Sequence, residues 1–92
     1  MNLEITGKSL DITPKLRELT EKKVAKLSHH SDKIMNVHIV YSVTKNTHNA
    51  QAHVTLAGGE VNAHADSNDM YKTIDLLIPK LVTQLEKHKE KH

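Results

Sequence analysis

Leu3 and Ile5 alternate with Asn2, Glu4 and Thr6 at the start of the chain. That is the period of a half-buried strand, and Gly7 marks its bend or end. Thr13-Pro14 follows as a helix start: the threonine oxygen can cap free N–H groups, and proline at the first helical position sacrifices no bond. The predicted helix runs to about Leu27, with Leu16, Leu19, Val24 and Leu27 on one arc and Thr20 inside it. Over residues 36–44, Val37, Ile39, Tyr41 and Val43 alternate with His38, Val40 and Ser42, a β-branched pattern that predicts a strand. Ala50, Ala52, Val54 and Leu56 predict a third strand, Gly58-Gly59 the positive-φ pair of a two-residue turn, and Val61, Ala63 and Ala65 a fourth. The polar segment 45–49 predicts the other hairpin loop. Ser67 or Asp66 can cap a second helix whose stripe is Met70, Ile74, Leu77, Ile78, Leu81 and Leu85, reaching about Lys89. Pro79 removes one backbone bond from that helix, but the stripe keeps its phase across it, which predicts a kink and not an end.

These elements give an α+β fold of order β-α-β-β-β-α. Its first β-α-β is a right-handed parallel crossover, its last three strands form a meander, and both helices cover one face of a four-stranded sheet. At 92 residues, 37% hydrophobic and 26% charged, the chain supports a single domain spanning residues 1–92. A domain this small has room for one apolar layer and little for an enzyme cleft. The absence of Cys removes disulfides, zinc thiolates and cysteine catalysis, and is consistent with a reducing compartment. No apolar run approaches the ~20 residues of a membrane span, and the N-terminus lacks the apolar region of a signal peptide. A soluble, cytoplasmic protein is therefore expected, without a membrane partner.

The net charge of +2 hides an uneven distribution. Residues 13–33 carry +3 and residues 80–92 carry +2, whereas 1–12 carry −1 and 34–79 carry −2. Two separated basic segments suit a polyanionic partner, although solvated helix faces produce the same arithmetic. At helical spacing Lys15, Lys22 and Lys26 form one stripe on the first helix, and Lys80, Lys87 and Lys91 one on the second. Lys23 falls inside the apolar arc, where its stem can lie along the core edge with the ammonium in water. With only two Tyr and no Phe or Trp, a base-stacking platform is poorly supplied.

Eight His raise the question of a metal. His29-His30 point to different sides, His88 and His92 share helical spacing at a chain end among lysines, and none has a carboxylate at metallopeptidase spacing. His38, His53 and His64 share the polar phase of three strands and cluster only if the registers match; solvent-exposed imidazoles are the favoured reading. No Ser lies in a G-x-S-x-G frame, and Gly58-Gly59 is too short for a phosphate loop. The expectation is a non-enzyme with no metal, no cofactor and no small-molecule substrate.

The stretch N-L-E-I-T-G, the helix start D-I-T-P-K-L-R-E, A-K-L at 25–27, G-G-E at 58–60, and Asp69-Met70-Tyr71 with Ile74-Asp75 and Lys80-Leu81 together resemble, over the whole chain, the short-form bacterial ribosome hibernation promoting factors, related to ribosome-associated inhibitor A. The resemblance implies a domain similar to double-stranded RNA-binding domains. It implies binding to the small ribosomal subunit and its rRNA near the decoding region, blocking mRNA and tRNA in starved or stationary-phase cells. It further implies pairing of ribosomes into inactive dimers with a separate ribosome modulation factor. The rRNA-facing positions it implies are Arg17, Lys23, Lys26, Lys80 and Lys87, with Lys33, Lys89 and Lys91 as additions; Lys22, like Lys15, rests on spacing alone. The chain departs from the family pattern at Thr83, where an arginine is frequent, and at Pro79. The alternative is a general double-stranded RNA-binding module without ribosome specificity.

Overall fold

The computed structural model describes residues 1–90. Its elements are β1 (Asn2–Lys8), α1 (Pro14–Ala25), β2 (Ile34–Thr44), β3 (Thr47–Leu56), β4 (Gly59–Ser67) and α2 (Met70–Glu90), with a 3-10 turn, Lys26–His29, directly after α1. The β-α-β-β-β-α order is the expected one. β1 is parallel to β2, the other neighbours are antiparallel, and the sheet order is β1-β2-β3-β4.

Strand alternation decides which side chains enter the core. Val37, Ile39 and Tyr41 of β2, Ala50, Ala52, Val54 and Leu56 of β3, and Val61 and Ala65 of β4 are buried beneath Leu16 and Val24 of α1 and Ile74, Leu77, Leu81 and Leu85 of α2. Both helices thus share one sheet face. On the other, Glu4, His38, His53 and Asn62 form a cross-strand row that no helix covers.

A buried hydrogen bond ties α1 to the sheet. Thr20 Oγ1 donates to the Leu16 carbonyl at 2.7 Å, which commits its only proton, so the Tyr41 hydroxyl 2.6 Å away is the donor to Thr20. Burial pushes the Tyr41 phenol up from its ordinary value of 10.0.

Several boundaries differ from the expected ones. α1 stops at Ala25, and the chain tightens into the 3-10 turn, where Ser28 Oγ donates to the Ala25 carbonyl and Leu27 remains buried. β1 continues through Gly7 to Lys8; a Cβ at Gly7 would lie 2.2 Å from the Leu10 carbonyl oxygen, so glycine admits the reversal after the strand. The β2–β3 loop is only Lys45-Asn46, with Lys45 at φ 58°, because Thr47, His48 and Asn49 pair with Thr44, Val43 and Ser42. A ladder of backbone bonds is indifferent to side-chain polarity, so it extends past the hydrophobic pattern. The β3–β4 turn is Ala57-Gly58, where Gly58 alone has positive φ, and Gly59 opens β4.

The α2 cap is Asp69, whose Oδ1 accepts from Tyr71 N at 2.8 Å, in place of Ser67 or Asp66. Ser67 instead accepts from Asp69 N and bonds Thr73 Oγ1 at 2.7 Å. α2 runs on through Pro79, as the stripe required; Pro79 and Asp75 are exposed, so the carbonyl that loses its amide partner lies on the solvent side of the helix.

Tyr41→Phe should lower stability by about 1 kcal/mol at neutral pH by removing the donor to Thr20. A phenol raised in the folded state loses its proton first in the unfolded chain, so its stabilisation is complete below about pH 10 and is lost as pH rises through the folded value. Thermal melts between about pH 8 and 11 should therefore fall more steeply for the parent than for Tyr41→Phe. Parallel curves would rule out this role for the phenol.

Candidate nucleic-acid interface

The connections orient the helices before any charge is considered. α1 returns from the end of β1 to the start of β2, and α2 returns from the end of β4, itself parallel to β2 after two antiparallel steps. The helices therefore run parallel. Contacts at both ends agree: Lys15 Nζ sits 5.1 Å from the Tyr71 ring centroid near the N-termini, and His30 Nδ1 lies 3.2 Å from Glu86 Oε1 near the C-termini.

This orientation sorts the predicted cations. Lys26 in the 3-10 turn, Lys33 after it, and Lys87 and Lys89 in the last turn of α2 gather at the end of the molecule where both helices finish. The Ala57 N to Lys33 carbonyl bond, 2.9 Å, ties the β3–β4 hairpin tip to the same end. Lys22 and Lys26 lie on the flank of α1 that carries Lys15, toward α2, whereas Arg17 is about 160° round the helix from Lys15. Lys80 marks the opposite flank of α2, where its Nζ donates to the His64 carbonyl of edge strand β4 at 3.0 Å. The two lysine stripes thus lie on either side of the exposed back of α2, not facing each other across the helix seam. Lys91 lies outside the described residues.

The cations also differ in availability. Arg17, Lys22, Lys26, Lys33 and Lys87 are exposed and form no ion pair among the described residues. Lys23 is 27% exposed, and its Nζ meets Asp75 Oδ1 at 2.5 Å, bridging α1 and α2. Lys89 lies 3.7 Å from Glu86 Oε1. The apolar-arc position of Lys23 was legible from spacing, but its partner, 52 residues away, carries no local signal.

The open sheet face does not gather its imidazoles. His38 stands opposite His53, but His64 stands opposite Gln51, one row away. The His38 ring turns toward Thr6 Oγ1 (2.9 Å) and Glu4 Oε2 (3.4 Å) on β1. His53 turns toward Glu60 Oε2 (3.1 Å) and Asn62 Oδ1 (2.6 Å) on β4. Among the described residues no group of three or more His, Cys, Asp or Glu could hold a metal ion. A hollow of about 480 Å³ on this face is lined by Lys8, Ser42, Asn49, Gln51 and His64 among others and has no carboxylate in its wall. Among the described residues no helix is long and apolar enough to cross a membrane.

Residues 3–92 match the family described as sigma 54 modulation protein / S30EA ribosomal protein. The chain belongs to that family. It is 47% identical over 91 residues to the ribosome hibernation promoting factor of Escherichia coli K12, covering 99% of this chain and 96% of the relative. The factor of Azotobacter vinelandii is 43% identical, covering 99% and 85%. Among solved structures, a ribosomal subunit interface protein from Coxiella burnetii superposes with a TM-score of 0.94 at 48% identity, covering 98% of this chain and 99% of that one. The N-terminal domain of Protein Y from Thermus thermophilus gives 0.87 at 31% identity, covering 96% and 99%. The four-stranded sheet with two helices is thus shared with these solved structures.

Within that fold, the Lys23–Asp75 pair makes a measurable difference. Asp75→Asn leaves the Lys23 charge unneutralised and should move elution from immobilised heparin to higher salt, while Lys23→Gln moves it lower. Identical elution of Asp75→Asn and the parent would show that the pair does not withhold the cation.

Proposed function

We propose that this S30EA-family chain acts as a single ribosome-binding domain over residues 1–92. It binds the small ribosomal subunit near the decoding region, occludes mRNA and tRNA, and favours inactive ribosome dimers together with a separate modulation factor, in the cytoplasm of starved or stationary-phase cells. The observation that carries this reading is the convergence of Lys26, Lys33, Lys87 and Lys89 at one pole, in a chain whose relatives are named as hibernation promoting factors. Arg17, Lys22, Lys23 and Lys80 extend the surface along the helices, and Lys91 adds to the basic segment in sequence.

The action is occlusion driven by counterion release, without bond making or breaking. Each Lys or Arg that neutralises a phosphate displaces condensed cations, so affinity falls steeply with salt. With few aromatics to stack on bases, discrimination comes from fit to a folded rRNA surface. The bond of Lys80 to the His64 carbonyl holds that side chain in place before contact, which lowers the ordering cost of a phosphate contact, whereas Lys23 has to leave Asp75 before it can meet a phosphate.

Co-sedimentation with small and large ribosomal subunits across a salt series, with naked duplex RNA in parallel, tests the reading. Stoichiometric, salt-sensitive binding to the small subunit with weak duplex binding is expected. Lys26→Glu and Lys87→Glu should each weaken it about tenfold or more without changing the melting temperature appreciably. Lys45→Asn, which removes a charge at the opposite hairpin tip and suits a positive φ, should leave it unchanged. Equal binding to subunits and duplex would instead identify a general double-stranded RNA module.

A further inference from the structure

Gly59 has no left-handed φ to explain it, since among the described glycines only Gly58 has positive φ. What surrounds it is distinctive. A Cβ built there would lie 2.6 Å from Cε1 of His88, 3.4 Å from Nε2 and 3.6 Å from Nδ1, so the imidazole lies against the space a side chain would fill. His88 belongs to the last turn of α2, beyond Leu85, the final fully buried apolar residue of the helix. After Leu85, Glu86, Lys87 and Lys89 are exposed, whereas His88 is half-buried. A helix end without apolar burial and with unpaired terminal carbonyls frays unless side chains hold it. Among the described residues, His30 bonds Glu86 and the ring of His88 lies against Gly59.

We infer that Gly59 is a seat for the His88 ring, and that this contact positions Lys87 and Lys89 for phosphate contact by holding the last turn of α2 against the β3–β4 hairpin. Gly59 and His88 are positioning residues: neither needs to touch RNA. The inference rests on the rRNA-binding reading for its functional half, while the seat itself stands on geometry. A methyl group at residue 59 meets the outer end of a side chain and not backbone, so the ring yields and the strand stays.

The test is a double-mutant cycle of Gly59→Ala, His88→Ala and the pair, read in two ways. Amide hydrogen exchange at residues 86–89 should quicken several-fold in either single variant, and the pair should be no faster than His88→Ala alone. In parallel, the slope of log affinity for the small subunit against log salt should become shallower by roughly 1 to 2, the signature of losing up to two ordered phosphate contacts. A change in overall stability alone would not produce that shallower slope. Unchanged exchange in both single variants, or additive effects in the pair, overturns the seat. Quickened exchange with an unchanged salt slope overturns the positioning role and leaves a structural contact. Absence of small-subunit binding by the parent overturns the rRNA half, while the exchange data still decide whether the seat exists.

Discussion

Both helices must return to the same end of the sheet, and the electrostatic character of the molecule follows from that constraint. A parallel β1–β2 pair requires a crossover, the meander brings β4 into line with β2, and one apolar face is available for both helices. The helices consequently lie parallel with their C-termini together, an arrangement that places two negative dipole ends side by side. Lys22 and Lys23 in the last turn of α1, and Lys87, His88 and Lys89 in that of α2, offset those ends. Lys26 and Lys33 lie at that same end.

The same topology explains why the lysines are not equivalent. Those near the seam or the sheet edge acquire protein partners: Lys23 with Asp75, Lys15 with the Tyr71 ring, and Lys80 with the free carbonyl of an edge strand. Covering the His64 carbonyl also blunts an edge that could otherwise template pairing with another chain. Exposed pairs of this kind contribute little to stability. Their effect is to hold some cations in defined places, while Arg17, Lys22, Lys26, Lys33 and Lys87 form no ion pair among the described residues.

Elements were legible where periodicity and burial act together. Val37, Ile39 and Tyr41 announce β2 because the face that they bury has to be apolar, and the α2 stripe survives Pro79 because the proline lies on the solvent side. Ends were less legible. The ladder through Thr47, His48 and Asn49, the cap at Asp69, and the shift of the turn to Ala57-Gly58 depend on local hydrogen-bond geometry that several neighbouring polar residues could have satisfied equally. The two glycines at 58 and 59 illustrate this: one meets a backbone requirement, while the other makes room for a ring from the far end of the chain.

The sequence by itself determined the order of elements, the apolar faces and the presence of two basic segments, because each rests on spacing along a single helix or strand. Only the tertiary structure decided that those segments share a pole, that Asp75 occupies Lys23, that His38 and His64 lie in different rows, and that His88 rests on Gly59. These are contacts between residues far apart in the chain, set by strand register and helix direction. Register and direction are properties of the assembled sheet, so no local pattern of residue types encodes them.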